Sequence, residues 1–269
     1  MTLVRPLIIA LLFLVNTSLL ANAAAPLLRT QDSCLSAIES AEKSHRSSTP
    51  KRINVLSWNV HKFTNEAAIK EVIDYTRSNN ILFLQEAVRS KELIDSKPFT
   101  SFSVGYQTVR LISGVLTLSD YPIVISCSYM HTEPWLRTPK VTNVVLLNID
   151  GTLLLAANIH AINFTLRTKY FSTQLHSIQE ILVAHKGPVI FSGDFNTWSN
   201  QRLKVLNGVA TTANLTQVEF KEDLRKQVFG VSLDRIFIRD IKIIESRTKA
   251  SKASDHNPIF ATLELVPSE

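Results

Sequence analysis

From Ile53 onward the chain alternates short apolar runs of strand length with polar breaks. The runs are Ile53–Trp58, Ile81–Leu84, Val115–Leu118, Ile123–Ser126, Val144–Ile149, Leu153–Ile159, Val189–Ser192, Leu233–Ile238 and Ile259–Leu265. Several are apolar at consecutive positions, the pattern of strands covered on both faces. Between them, Glu66–Ser78 sets Ile69, Val72 and Ile73 on one helical stripe that Asn79-Asn80 ends. Lys169–Lys186 carries Phe171, Leu175, Ile178, Ile181 and Leu182 at three- and four-residue steps and stops at Gly187-Pro188. Gln201–Leu206 is a weaker helical stretch. Strands outnumber helices, no repeat recurs and no linker divides residues 53–269. The expectation is one α/β (α+β) domain of layered sheets and helices.

The segment ahead of it reads differently. Leu7–Val15 is apolar, follows Arg5 and precedes Ala21-Asn22-Ala23. As a helix it rises only about 14 Å, against a bilayer core of about 30 Å. A basic start, a short apolar stretch and a small-x-small end form a cleavable signal peptide over residues 1–23. Such a leader implies a secreted or periplasmic protein with no stable membrane insertion after processing; the alternative is an uncleaved N-terminal anchor. Residues 24–52 read as a polar tether or short helix. Export makes a Cys34–Cys127 bridge chemically permissible. Cys127 as a small core residue, with Cys34 in the tether, fits the sequence equally.

Composition narrows the chemistry. Seven glycines leave no GxGxxG or GxxxxGK[ST] phosphate cradle, and two cysteines are too few for a disulfide scaffold or a Cys-rich zinc site. A hydrophobic share of 45% excludes disorder. The formal net charge of +6 permits a phosphate-bearing partner without requiring one.

The informative residues follow the strands. Ile53–Trp58 runs into Asn59, Ile81–Leu84 into Gln85-Glu86, Leu153–Ile159 into His160, and Val189–Ser192 into Gly193-Asp194-Phe195-Asn196. Asp234 falls within Leu233-Asp234-Arg235-Ile236, and Ser254-Asp255-His256-Asn257-Pro258 precedes the last run. Singly, each has an ordinary explanation as an Asx-turn or a loop acid. Asp234 resists it, because a carboxylate inside an apolar strand must be paired or pay for desolvation. Together they place ligand and acid/base groups at one rim. His45, His61, His131, His176 and His185 are expected to be surface or packing residues.

These six motifs, in this order over about Ile53 to Leu265, resemble the endonuclease/exonuclease/phosphatase (DNase I-like) superfamily. The wording of His160–Phe164, Gly193–Ser199 and Glu133–Lys140 is most similar to its YafD-like bacterial branch. The resemblance implies a four-layer sandwich of two packed mixed β-sheets flanked by helices, and divalent-metal phosphoester hydrolysis. It implies Glu86 as the principal Mg²⁺ ligand (Mn²⁺ or Ca²⁺ as substitutes), with Asn59 and Asp255 adding oxygens. Asp194 would orient or deprotonate the attacking water and Asn196 would hydrogen-bond the phosphoryl group. His256 would contact a non-bridging oxygen, held by Asp234, and His160 would donate to the phosphate or the leaving group.

Relatives often carry a basic residue after the serine of Gly-x-x-x-Leu-Ser. Here Ser119-Asp120-Tyr121 stands there, so Arg137 and Lys140, beside Trp135, are the candidate substitute substrate-binding cations; a solvated basic loop fits the same residues equally. The reading that results is a phosphodiesterase acting on a phosphoester substrate, foremost a DNA-cleaving endonuclease. The alternatives are a lipid or inositol phosphate hydrolase and a silent phosphate-binding module; retention of every motif position argues against the last.

Overall fold

The computed structural model describes residues 25–42, 50–61, 66–165 and 167–266; the expected leader and His45 lie outside the described residues. The first elements are β1 (Leu27–Leu28), α1 (Gln31–Glu42), β2 (Lys51–Asn59), α2 (Glu66–Thr76), β3 (Ile81–Val88) and α3 (Lys91–Ile94). Next come β4 (Phe99–Gln107), β5 (Ile112–Ser119), β6 (Ile123–Thr132), β7 (Pro139–Ile149), β8 (Thr152–His160) and α4 (Lys169–Ala184). Then follow β9 (Val189–Asp194), α5 (Asn200–Thr212), β10 (Thr216–Gln217), β11 (Gln227–Val228) and β12 (Val231–Ser232). β13 (Asp234–Arg239), β14 (Ile241–Thr248) and β15 (Ile259–Leu265) complete the chain.

Two mixed sheets result, with strand orders β1-β6-β7-β8-β9-β13-β10 and β14-β15-β2-β3-β5-β4. Their packing explains strands that are apolar on both faces. Val55, Ile81 and Phe83 point inward against Leu154, Ala156 and Ile190 of the opposite sheet. Their neighbours Leu56, Trp58, Leu82 and Leu84 point outward and are covered by Ala68 and Val72 of α2. Leu155, Ala157, Val189 and Phe191 face outward in the other sheet, against Ile38 of α1, Phe171 and Ile178 of α4, and Leu206 of α5. Alternate residues of one strand thus feed different cores. The molecule is the four-layer DNase I-like sandwich.

A polar layer crosses the inner core. Gln85 donates to Asn158 Oδ1 (2.7 Å), Thr117 Oγ1 to Asn143 Oδ1 (2.7 Å), and Asn143 Nδ2 to Ser101 and Ser103 Oγ (2.8 and 3.0 Å). All six residues are buried. Apolar contact is non-directional, whereas these bonds fix how one sheet sits over the other. They also explain why β4 is absent from the apolar-run reading: its inward positions include serines. β14 was missed for another reason, as an edge strand with most residues exposed.

The segment Leu27–Glu42 packs onto the first sheet. β1 pairs in parallel with β6, Cys34 and Ile38 of α1 are buried, and Cys34 is bridged to Cys127 of β6. Closing a loop across 93 residues corresponds to about 4–5 kcal/mol in the chain-entropy account. No described helix is long and apolar enough to cross a membrane.

Candidate active site

Strand register assembles the site. β8, β9 and β13 lie side by side, and their ends align so that His160 is opposite Asp194 and Asp194 is opposite Asp234. Gly193 makes the close approach possible. Its φ is +145°, and a Cβ there would lie 2.0 Å from Ile159 O. On the second sheet Asn59 pairs with Gln85, and a β-bulge between Leu84 and Ala87 redirects the next residue. That residue is Glu86, at φ +53°, a left-handed conformation few bulky residues adopt.

The side chains then converge. Asn59 Nδ2 donates to Asp194 Oδ2 (2.9 Å), and the N–H of Asn196 donates to Asp194 Oδ1 (3.0 Å). His160 Nε2 lies 3.7 Å from both Glu86 Oε1 and Asp194 Oδ2. Lys140, buried at the start of β7, places Nζ 2.7 Å from the same His160 nitrogen. A lysine ammonium only donates, so His160 Nε2 is the acceptor in this arrangement. His256 Nδ1 is 2.8 Å from Asp234 Oδ2, and its Nε2 is 4.0 Å from Asp194 Oδ2. The loop bearing His256 is tied down by Trp58 Nε1 donating to His256 O (2.8 Å) and Ser254 Oγ donating to Asn59 O (2.7 Å).

Burial sets the charges. It pushes the Asp194 carboxyl above its usual range, a trend that Asp234 reinforces and that His256 and Lys140 oppose. Burial works against the His256 imidazolium, but the Asp234 charge and hydrogen bond, followed by Asp194, push its pKa up to about 10. For Asp255 partial burial is the largest single influence and raises the pKa, but His256, Lys226 and His61 together outweigh it and hold the carboxyl below the ordinary carboxylate range.

Asp194, Asp234 and His256 each offer a ligand atom within 4.8 Å of the others, so this buried cluster has the composition of a metal site. Asp234 Oδ1 is buried with no hydrogen-bond partner among the described residues. His256 Nδ1 is taken up by Asp234, which leaves its Nε2 as the ring atom turned to the cluster. Glu86, Asn59 and Asp255 carry oxygens of the kind a hard divalent cation takes, although Asn59 Oδ1 accepts the His61 N–H (3.1 Å) and Asp255 is paired with His61 and Lys226.

Of the substitute cations, Lys140 is brought into the site and Arg137 is not. Arg137 is exposed on the β6–β7 turn, its N–H bonded to Glu133 O (2.9 Å). Asp120 lies at the opposite end of β3, where Ser119 pairs with Ile81. It is held by Lys97 (2.6 Å) and Asn80 (3.0 Å), so it neither contacts nor repels an anion in the cleft. Asn196 Nδ2 donates to Ala161 O (3.0 Å), making this side chain a strut between loops.

His61 is exposed, as expected of a surface residue, and pairs with Asp255 at 3.1 Å. Sequence reasoning missed two contributors. Gln174 holds the chain after His160, donating to His160 O (3.1 Å) and accepting from Ile162 N (2.8 Å). Arg202 is 1% exposed, stacks between Phe171 and Trp198, and donates to the carbonyls of Ile162, Asn163 and Asn196. A buried arginine and glutamine on the helices after two motif strands are the only sequence signal for these, and helical periodicity hides it.

A sandwich of this topology with carboxylates and histidines gathered at one rim defines a phosphoester hydrolase of the DNase I-like class. The model of the endonuclease/exonuclease/phosphatase family matches residues 56–256, and the chain belongs to that family. A UPF0294 protein of Yersinia pseudotuberculosis is 36% identical over 226 residues, covering 80% of this chain and 85% of that one. One from Vibrio campbellii is 33% identical over 219 residues, covering 79% and 78%. Among solved structures, an endonuclease/exonuclease/phosphatase from Bacteroides vulgatus superposes with a TM-score of 0.63 at 14% identity, over 80% of this chain and 99% of that one.

Proposed function

We propose that the protein is an exported, Mg²⁺-dependent phosphodiesterase that cleaves DNA. The observation that carries the reaction type is the aligned row His160–Asp194–Asp234 with His256 locked onto Asp234. Glu86 and Asn59, with Asp255, would hold the ion, which when bound neutralises phosphoryl charge as the P–O bond breaks.

The residues divide the remaining work. Asp194, buried and raised in pKa, accepts a proton from the attacking water as its oxygen bonds to phosphorus; the ester P–O bond on the opposite side breaks, and the leaving alkoxide takes a proton from solvent. His256 carries a proton on each nitrogen and presents Nε2 to a non-bridging oxygen, while Asp234 fixes its orientation. Lys140 places its ammonium beside His160, where the phosphate would sit, and its hydrogen bond to Nε2 orients the ring. Export draws support from the leader pattern and from the Cys34–Cys127 bridge, which persists in oxidising compartments.

Plasmid nicking by the purified protein tests this reading. Mg²⁺ supports cleavage, and Asp194→Ala or His256→Ala each loses at least ~10²-fold. Equal cleavage by wild type and both variants removes the mechanism.

A further inference from the structure

We infer that the two walls of the cleft form a stacking platform for unpaired nucleobases, so that this site takes single-stranded or locally unpaired nucleic acid. The inference rests on the phosphodiesterase reading above and specifies its substrate class.

The first wall adjoins His160. Trp135 and Phe164 are 61% and 54% exposed on two different loops. Those loops are joined by Glu133, whose Oε1 accepts the N–H groups of Asn163 (2.7 Å) and Phe164 (3.2 Å). Arg202 fastens the second loop from behind through the carbonyls of Ile162 and Asn163. The aromatic rings are therefore carried by a rigid base. Arg137, Arg167 and Lys169 are exposed in the same segments, and the sole acid there, Glu133, is buried. The exposed cations of these segments suit a polyanion.

The second wall adjoins Asp234 and Asp255. β11 and β12 form a two-stranded ribbon whose connecting residues, Phe229 and Gly230, have φ of +51° and +78°. Two successive positive φ values match the primed hairpin turn, which favours Asn-Gly. Phenylalanine is strained at the first position and is 87% exposed, so the fold gains no burial in return. Strain kept at an exposed aromatic beside a reaction centre points to a ligand. The ribbon is anchored at its base, where Leu233 N–H donates to Lys226 O (2.9 Å) and Lys226 pairs with Asp255 (3.4 Å).

Aromatic side chains on both sides of a phosphate site, with exposed cations on the same segments as the rings, are the arrangement that holds single strands. Base faces stack on the rings whatever their sequence, and phosphates meet the cations. A duplex offers its bases already stacked and paired, so protruding rings gain little from it.

Fluorescence anisotropy in EDTA, where no turnover occurs, tests the inference with three probes. These are a labelled single-stranded oligonucleotide of about 12 nucleotides, the matching duplex, and phosphatidylglycerol vesicles. The single strand is expected to bind at least ~5-fold more tightly than the duplex, and Trp135→Ala and Phe229→Ala each to weaken it at least ~5-fold. Phe229→Asn, better suited to the turn, is expected to raise the melting temperature while weakening binding. Unchanged single-strand affinity in these variants, preference for the duplex, or binding to vesicles alone overturns the inference. Hydrolysis of a small chromogenic diester is read separately. Its absence removes the phosphodiesterase reading while leaving the binding result legible.

Discussion

His256 Nδ1 and Asp234 Oδ2 are 2.8 Å apart, and both residues are buried where β13 meets the loop before β15. The pair turns two groups that would each be costly to bury alone into one near-neutral unit. It also turns Nε2 toward Asp194, 4.0 Å from Oδ2. Replacing Asp234 by Asn keeps the shape but removes the charge that holds the second proton on His256. Turnover by Asp234→Asn is expected to fall by at least ~10²-fold in kcat with a smaller change in KM. A variant that changed KM alone would assign Asp234 to substrate binding.

Glu86 occupies a left-handed backbone position at a bulge, a conformation its neighbours impose. Removing its charge without changing its size should leave the fold intact and weaken cation binding. Glu86→Gln is expected to raise the dissociation constant for Mn²⁺, read by calorimetry, at least ~10-fold. Chelation of the wild-type protein should abolish nicking, with recovery on adding Mg²⁺. Equal Mn²⁺ affinity in the variant would place the ion elsewhere, with the Asp194–Asp234–His256 cluster next in line.

The Cys34–Cys127 bridge ties α1 to β6 across 93 residues of chain. The double variant Cys34→Ser/Cys127→Ser is expected to lose up to about 4 kcal/mol of stability in denaturant titration. Reduction of the wild-type protein should produce a similar loss. Identical midpoints with and without reductant would mean that packing of Cys34 and Ile38, rather than the covalent link, holds the helix.

Asp223 receives two charge-assisted hydrogen bonds from Arg225, at 2.8 and 2.6 Å, below the ribbon. These bonds hold its carboxyl below the ordinary value of 3.8, so the folded state binds its proton less readily than the unfolded state does. The stability it contributes is full above that ordinary value and is lost as pH falls through the lower folded pKa. Thermal melts of Asp223→Asn and wild type should therefore differ near neutral pH and converge in strong acid. A gap that is constant with pH would show that shape, not charge, carries the contribution.

The fold was legible because its evidence is local. Runs such as Ile53–Trp58 and Leu153–Ile159 are apolar on both faces, which demands cover on each side, and the stripe Phe171–Leu182 demands a sheet beneath it. What escaped notice was of two kinds. Ser101 and Ser103 lie on a strand whose inward side is polar, and Arg202 and Gln174 act through backbone carbonyls and amides. Neither leaves an apolar period.

The sequence alone determined the layered α/β architecture, the shortage of glycine cradles and the placement of carboxylate, amide and imidazole residues at strand ends. It could not determine which strands are neighbours, because pairing register is set by contacts between distant segments. Only tertiary structure decided that His160, Asp194 and Asp234 share one row, and that Lys140 enters the site while Arg137 stays at the surface. It likewise decided that Asp120 sits at the far end of the sandwich and that Cys34 reaches Cys127. In each case the residue type was readable, and its partner was a matter of three-dimensional proximity.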